Sequence, residues 1–165
     1  MALEAFEKPD CSLEAEARRN RRFEIRGSSI QGRGGFAVDR FLANEVIAEY
    51  KGEPISNEEV ARRLELGNAF IFTLHESLIL DGDIPGNPAQ YLNHSCAPNC
   101  RSFIFENQIW ILADRDIEPG EELTYDYGYK LEGHDPIPCR CGAADCFRFI
   151  VAKQYRWPIP PAAAD

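Results

Sequence analysis

Near the end of the chain, Cys139-Arg140-Cys141-Gly142-Ala143-Ala144-Asp145-Cys146 sets three thiols in the spacing C-x-C-x4-C. Three thiolates leave a tetrahedral zinc site one ligand short, so the fourth must come from a distant part of the chain. That demand ties the fold together along its length before any strand or helix is considered. Cys96 is the best candidate, with Cys100, His134 and Cys11 as alternatives. A redox cysteine pair is the competing reading, weakened by the lack of a C-x-x-C spacing and of a βαβ setting. The first thirty residues are broken by Glu4, Glu7, Lys8, Asp10 and the run Arg18-Arg19-Asn20-Arg21-Arg22, which leaves no apolar stretch of signal-peptide length. We therefore expect an intracellular protein, cytoplasmic or nuclear, with no membrane span. Its six cysteines then read as metal ligands rather than as a disulfide framework.

Cys96 belongs to Tyr91-Leu92-Asn93-His94-Ser95-Cys96-Ala97-Pro98-Asn99-Cys100, which brings together an amide, an imidazole, a hydroxyl and two thiols. Pro98 and Asn99 stop a helix from running through, so the stretch reads as a turn carrying ligands. The alternative is a polar loop with two buried cysteines.

Short strands dominate the rest. Phe23 and Ile25 alternate with Glu24 and Arg26; Val46-Ile47-Ala48-Glu49-Tyr50 is bounded by Gly52 and Pro54. Ser56-Asn57-Glu58-Glu59 forms a capping box that opens a helix closed near Gly67. Ala69 to Leu74 and Ser77 to Asp81 read as strands around the turn His75-Glu76. Ser102 to Phe105 and Gln108 to Ala113 face each other across Glu106-Asn107 as a hairpin apolar on both faces, and so central. Residues 1–21 form a loosely held arm, and Trp157-Pro158-Ile159-Pro160-Pro161 belongs to an extended, surface-bound tail. At 165 residues and 44% apolar content, the chain is one globular domain with short tails.

Two further segments carry chemistry. In Gly32-Arg33-Gly34-Gly35-Phe36-Ala37 the glycines allow a sharp bend that brings bare amides against a ligand; a mere turn is the plainer alternative. A dinucleotide fingerprint also fits the G-x-G-x-x-A spacing, but Asn44 cuts off a following helix and βαβ alternation is missing. Glu121-Glu122-Leu123-Thr124-Tyr125-Asp126-Tyr127-Gly128-Tyr129 reads as a strand whose alternate tyrosines share one face unless Gly128 bends it. With 27 acidic against 18 basic residues and a net charge of −9, the chain is ill suited to gripping nucleic acid phosphates and better suited to a lysine-rich partner.

Taken in order, Gly32 to Ala37, Glu49-Tyr50-Lys51-Gly52-Glu53, Asn93 to Cys100, Gly120 to Tyr127 and the cysteine cluster resemble the SET-domain protein lysine methyltransferases with a post-SET zinc motif. The resemblance covers about residues 22–150. It implies a mainly β fold of several short twisted sheets, with a knot-like crossing near the C-terminus and one short helical insert. It divides the chain into an arm (1–21), a SET domain (22–130), a post-SET zinc segment (131–152) and a tail (153–165). It also implies S-adenosylmethionine as methyl donor and zinc as structural metal. The donor would be held by Arg33, Gly34, Gly35, Phe36, Tyr91, Asn93, His94 and Phe149, and the zinc by Cys96, Cys139, Cys141 and Cys146. A lysine from a histone tail or similar basic protein would enter a channel lined by Tyr50, Tyr125 and Tyr127, with Tyr127 in the family's catalytic position. Tyr125 stands where the family alternates phenylalanine and tyrosine, which implies mono- or dimethylation. Glu49, Glu53 and Asp126 read as structural carboxylates. Gln90 and Phe70 depart from the arginine and tyrosine common in relatives. A non-catalytic module binding lysine-rich tails is the runner-up, and a zinc-only scaffold a remote third.

Overall fold

Glycine, proline and asparagine interrupt this chain so often that its strands stay short. The computed structural model describes residues 6–68, 70–75, 78–130 and 137–156. In chain order these form α1 (Leu13–Asn20), β1 (Phe23–Gly27), β2 (Arg33–Ala37), β3 (Val46–Tyr50), β4 (Glu53–Ile55), α2 (Asn57–Glu65), β5 (Ile71–His75), β6 (Leu78–Asp81), β7 (Asn93–His94), β8 (Cys100–Phe105), β9 (Gln108–Ala113) and β10 (Glu122–Tyr125). The strands make three small sheets, ordered β1-β2-β10-β7, β3-β9-β8 and β4-β6-β5. Ala69, Glu76, Ser77, His134 and the tail from Trp157 lie outside the described residues. Among the described residues no helix is long and apolar enough to cross a membrane.

The sheet that matters for the site is interlocked. β10 runs antiparallel to β2, with Leu123 opposite Gly35, and parallel to β7, with Thr124 opposite Asn93 and Tyr125 opposite His94. Just past β7, Asn99 reaches back across β10: its Oδ1 accepts the Thr124 amide at 2.9 Å and its Nδ2 donates to the Glu122 carbonyl at 2.9 Å. This is the knot-like crossing. Leu92, Leu123, Phe41, Ile47, Ile109 and Ile111 bury it in one apolar core, and full burial of each such side chain stabilises by about 1.5–3 kcal/mol.

Several expectations change. From Phe6 onward the arm is docked, not loose: Ser12 caps α1 by accepting the Ala15 amide at 3.2 Å, Phe6 packs its ring 4.6 Å from Phe103, and Lys8 pairs with Glu106 at 2.7 Å. The last two are contacts to a hairpin far along the sequence, invisible to local pattern. That hairpin is only half central: β9 lies between β3 and β8, while β8 carries Ile104 at 43% exposure. Its turn holds Glu106 and Asn107 at φ of 49° and 62°, the left-handed pair a two-residue hairpin requires. In α2 the capping box is half formed. Ser56 Oγ accepts the Glu59 amide at 3.3 Å, but the Glu59 carboxylate turns to Arg62 and Arg63, whose permanent charges outbid a backbone amide. The tail begins bound: Lys153–Tyr155 form a 3-10 turn, and Arg156 bonds back to the body of the protein.

Candidate active site

Asn93 and His94 leave β7 side by side and open onto a cleft of about 360 Å³, whose wall also includes Gln31, Gly32, Tyr127, Pro138, Arg140 and Ile150. The Asn93 amide nitrogen donates to the carbonyls of Arg33 at 2.9 Å and Gln31 at 3.3 Å and to Glu122 Oε1 at 2.9 Å, fastening the β1–β2 turn to β7. His94 is buried. Its Nδ1 accepts the Tyr127 amide at 3.2 Å. Burial pushes the imidazole pKa down to about 4, with Asp126 opposing and Arg156 assisting, so the ring is neutral near pH 7.

The tyrosines gather although β10 ends at Tyr125. Ring centroids of Tyr125 and Tyr127 lie 5.0 Å apart, those of Tyr127 and Tyr129 5.7 Å apart, and Tyr127 meets His94 edge-on at 5.4 Å. Phe72 stacks on Tyr125 at 6.5 Å and packs against Tyr50 at 5.4 Å. Burial raises the phenol pKa values of Tyr50, Tyr125 and Tyr127 above their ordinary range. Tyr127 Oη donates to the Leu92 carbonyl at 3.0 Å, and Tyr50 Oη donates to the Phe70 carbonyl at 2.7 Å. That Phe70 oxygen also accepts the Gly82 amide at 2.8 Å. A Cβ on Gly82 would collide with the Tyr50 ring, so only glycine admits the phenol there.

The sulfurs of Cys96, Cys139, Cys141 and Cys146 all lie within 4.8 Å of one another. Cys96 Sγ is 3.8 Å from that of Cys139 and 3.9 Å from that of Cys146, close to the ~3.8 Å edge of a tetrahedron with ~2.3 Å zinc–sulfur bonds. The donor set therefore fits a four-coordinate metal. Burial opposes ionisation of Cys141, but the backbone amides of Cys96 and Ala143 hold its pKa down to about 6. Of the alternatives to Cys96, Cys100 is buried beside Asn99 with its thiol pushed up to about 12 by burial, Cys11 is exposed and bonds to Pro9, and His134 lies outside the described residues.

The other expected donor contacts are placed less directly. Arg33, Gly34, Gly35, Phe36, Tyr91 and Phe149 do not line the cleft; Gly32 does. The glycine run makes no sharp bend at Gly34 and Gly35. Both sit in β2, where a Cβ would strike Glu122 and Leu92 respectively, so the bare Cα atoms admit these neighbouring side chains. Phe36 lies beneath the Arg26 guanidinium at 3.9 Å, and Tyr91 beneath that of Arg33 at 4.3 Å. Phe149 bridges to Pro138, bringing its neighbour Ile150 to the cleft instead.

Sequence reasoning missed three residues. Phe72 joins Tyr50 to Tyr125; Glu122 receives Asn93 and, at 2.7 Å, Ser28 Oγ; Arg156 donates to the Cys96 carbonyl at 2.7 Å, Asp126 at 2.9 Å and the Val151 carbonyl at 2.8 Å. Only Phe72 had a local signal, its place in an apolar strand. Asp126, bonded to Arg156 and to the amides of Gly128 and Lys153, is structural, as are Glu49 with Gln108 and Glu53 with Arg63.

A family profile described as the SET domain matches residues 32–128. A histone-lysine N-methyltransferase of Schizosaccharomyces pombe, described as H3 lysine-4 specific, is 40% identical over 143 residues, covering 80% of this chain and 15% of that protein. Human histone-lysine N-methyltransferase 2D is 38% identical over 133 residues, covering 74% of this chain and 2% of its own length. A solved structure of a humanized mutant of the Chaetomium thermophilum Polycomb Repressive Complex 2, bound to an inhibitor, matches with a TM-score of 0.59 and 36% identity over 64% of this chain and 15% of that one. The chain thus spans only a small fraction of these relatives' lengths.

Proposed function

The chain belongs to the SET-domain family, and on that premise we propose that it is a protein-lysine N-methyltransferase acting on a lysine-bearing segment of a basic protein. The names of its relatives make a histone H3 tail the first peptide to test, and such a substrate would put the protein at chromatin. One observation carries the reading: Tyr127 lines the cleft with Asn93 and His94 and also packs against Tyr125. Donor and acceptor on either side of one phenol suit an in-line transfer.

S-adenosylmethionine, when bound, supplies an electrophilic methyl group. The cleft suits it: Ile30, Ile137 and Ile150 offer apolar walls, and Gln31 and Asn93 polar groups. Zinc would be held by the four thiolates, a closed set that leaves no position for substrate. Free lysine has a pKa of ~10.4, so keeping it neutral at pH 7 costs roughly 4–5 kcal/mol. Desolvation among Tyr125, Tyr127 and Phe72 lowers that cost. The raised phenol pKa values keep these tyrosines protonated, as orienting groups rather than bases. Tyr127 Oη, already directed at the Leu92 carbonyl, is fixed in place for weak contacts to the transferring methyl. The Tyr125 ring packs against Phe72 and Tyr127, where its hydroxyl would hold a water or the amine and take the room of a third methyl, which favours mono- or dimethylation. The clustering of Asn93, His94 and Tyr127 favours an enzyme over a module that only binds lysine-rich tails.

The test is transfer of labelled methyl from the donor to histones and H3-tail peptides. Label on lysine supports the reading; no label on any histone or basic peptide, from protein loaded with zinc, overturns it.

A further inference from the structure

His94 touches both the candidate metal centre and the candidate active site, one with each ring nitrogen. Its residue surface is 3% exposed, leaving the ring to protein partners. Nδ1 receives the Tyr127 N–H at 3.2 Å. A backbone amide can only donate, so the proton of the neutral ring belongs on Nε2. Asp126 Oδ1, 3.8 Å from Nδ1, is beyond hydrogen-bond range and already accepts the Gly128 amide at 3.0 Å. Nε2 lies 3.7 Å from Cys96 Sγ.

Resting on the metal reading above, we infer that the His94 side chain is a positioning residue coupling the two sites, its Nε2–H donating to the metal-bound Cys96 thiolate while its Nδ1 fixes the Tyr127 backbone. The Phe147 amide, 3.4 Å from the same sulfur, is a second donor. Donors that share a thiolate's charge orient it and strengthen its hold on the metal. Cys96 is the one thiol of the four outside the late cluster, so its hold decides whether the segment from Ile137 stays against β7. On the other side, the Tyr127 backbone sets where its phenol meets the Leu92 carbonyl. Loss of the imidazole would loosen metal and tyrosine together.

The test uses the full chain loaded with cobalt(II) in place of zinc. His94→Phe keeps the ring and removes both nitrogens; His94→Gln keeps a donor that can reach the Cys96 sulfur. We expect His94→Phe to release metal to a chelator about ten- to a hundredfold faster and to shift the thiolate-to-cobalt charge-transfer band, with His94→Gln restoring much of both. An unchanged band and release rate in His94→Phe overturns the inference. Should His94→Phe fail to fold, long-range nitrogen–proton NMR of the wild-type zinc protein decides: a ring proton on Nε2 supports the coupling and one on Nδ1 overturns it. Wild-type protein that takes up neither cobalt nor zinc sinks the metal reading itself, whereas normal uptake with an indifferent His94 sinks only the coupling.

Discussion

The strand crossing and the cysteine-held segment lie against each other and are stabilised by different means. Around β10, Leu123 is fully buried and Asn99 supplies two bonds across the crossing, one buried and one partly buried. From Ile137 to Cys146 regular pairing is reduced to the bridge between Pro138 and Phe149, and no residue there is buried. That part meets the crossing through the four thiols, and the residues after it through the Ala152 amide on the Tyr129 carbonyl and Arg156 on the Cys96 carbonyl. Apolar burial and satisfied backbone groups make the crossing self-sufficient, whereas the segment needs a ligand the unfolded chain lacks. The segment nonetheless supplies one wall of the cleft.

Metal removal should separate the two regions most sharply. A strong chelator should abolish methyl transfer yet leave a cooperative thermal unfolding transition for the crossing; its loss would show that the two form one unit. Next in size, Tyr127→Phe should cut turnover about a hundredfold, with stability lowered by only about 1 kcal/mol as the Leu92 carbonyl loses its donor. Asn99→Ala probes the crossing alone. It strips partners from Glu122 and Thr124, and should cost about 2–4 kcal/mol in denaturant unfolding while metal stoichiometry stays unchanged. The smallest effect on rate belongs to Tyr125→Phe, which should shift product mass toward trimethyl-lysine; a wild-type enzyme that already trimethylates would contradict the role given to that hydroxyl.

The same contrast governs what could be read before the fold was known. Cys96 could be matched to the late thiols because tetrahedral coordination counts ligands, and the alternate tyrosines could be grouped because strand geometry repeats every second residue. The motifs in their order pointed to the fold family. Hidden were contacts between stretches with no shared pattern: Phe6 on Phe103, Arg156 on the Cys96 carbonyl, Glu122 filling the space beside Gly34. What fills the space beside Gly34 and Gly35 was hidden because a missing side chain does not announce what takes its room.

The Phe70 carbonyl, shared by the Tyr50 phenol and the Gly82 amide, pins both legs of the excursion that carries α2. Beyond that oxygen the helix buries no residue of its own and is held largely by Arg63 reaching Glu53 and Asp81. Substitutions along the outer side of α2 can therefore accumulate while the aromatic walls keep their spacing, so this lobe is free to diversify in sequence and specialise toward new neighbours without retuning the chemistry beneath it.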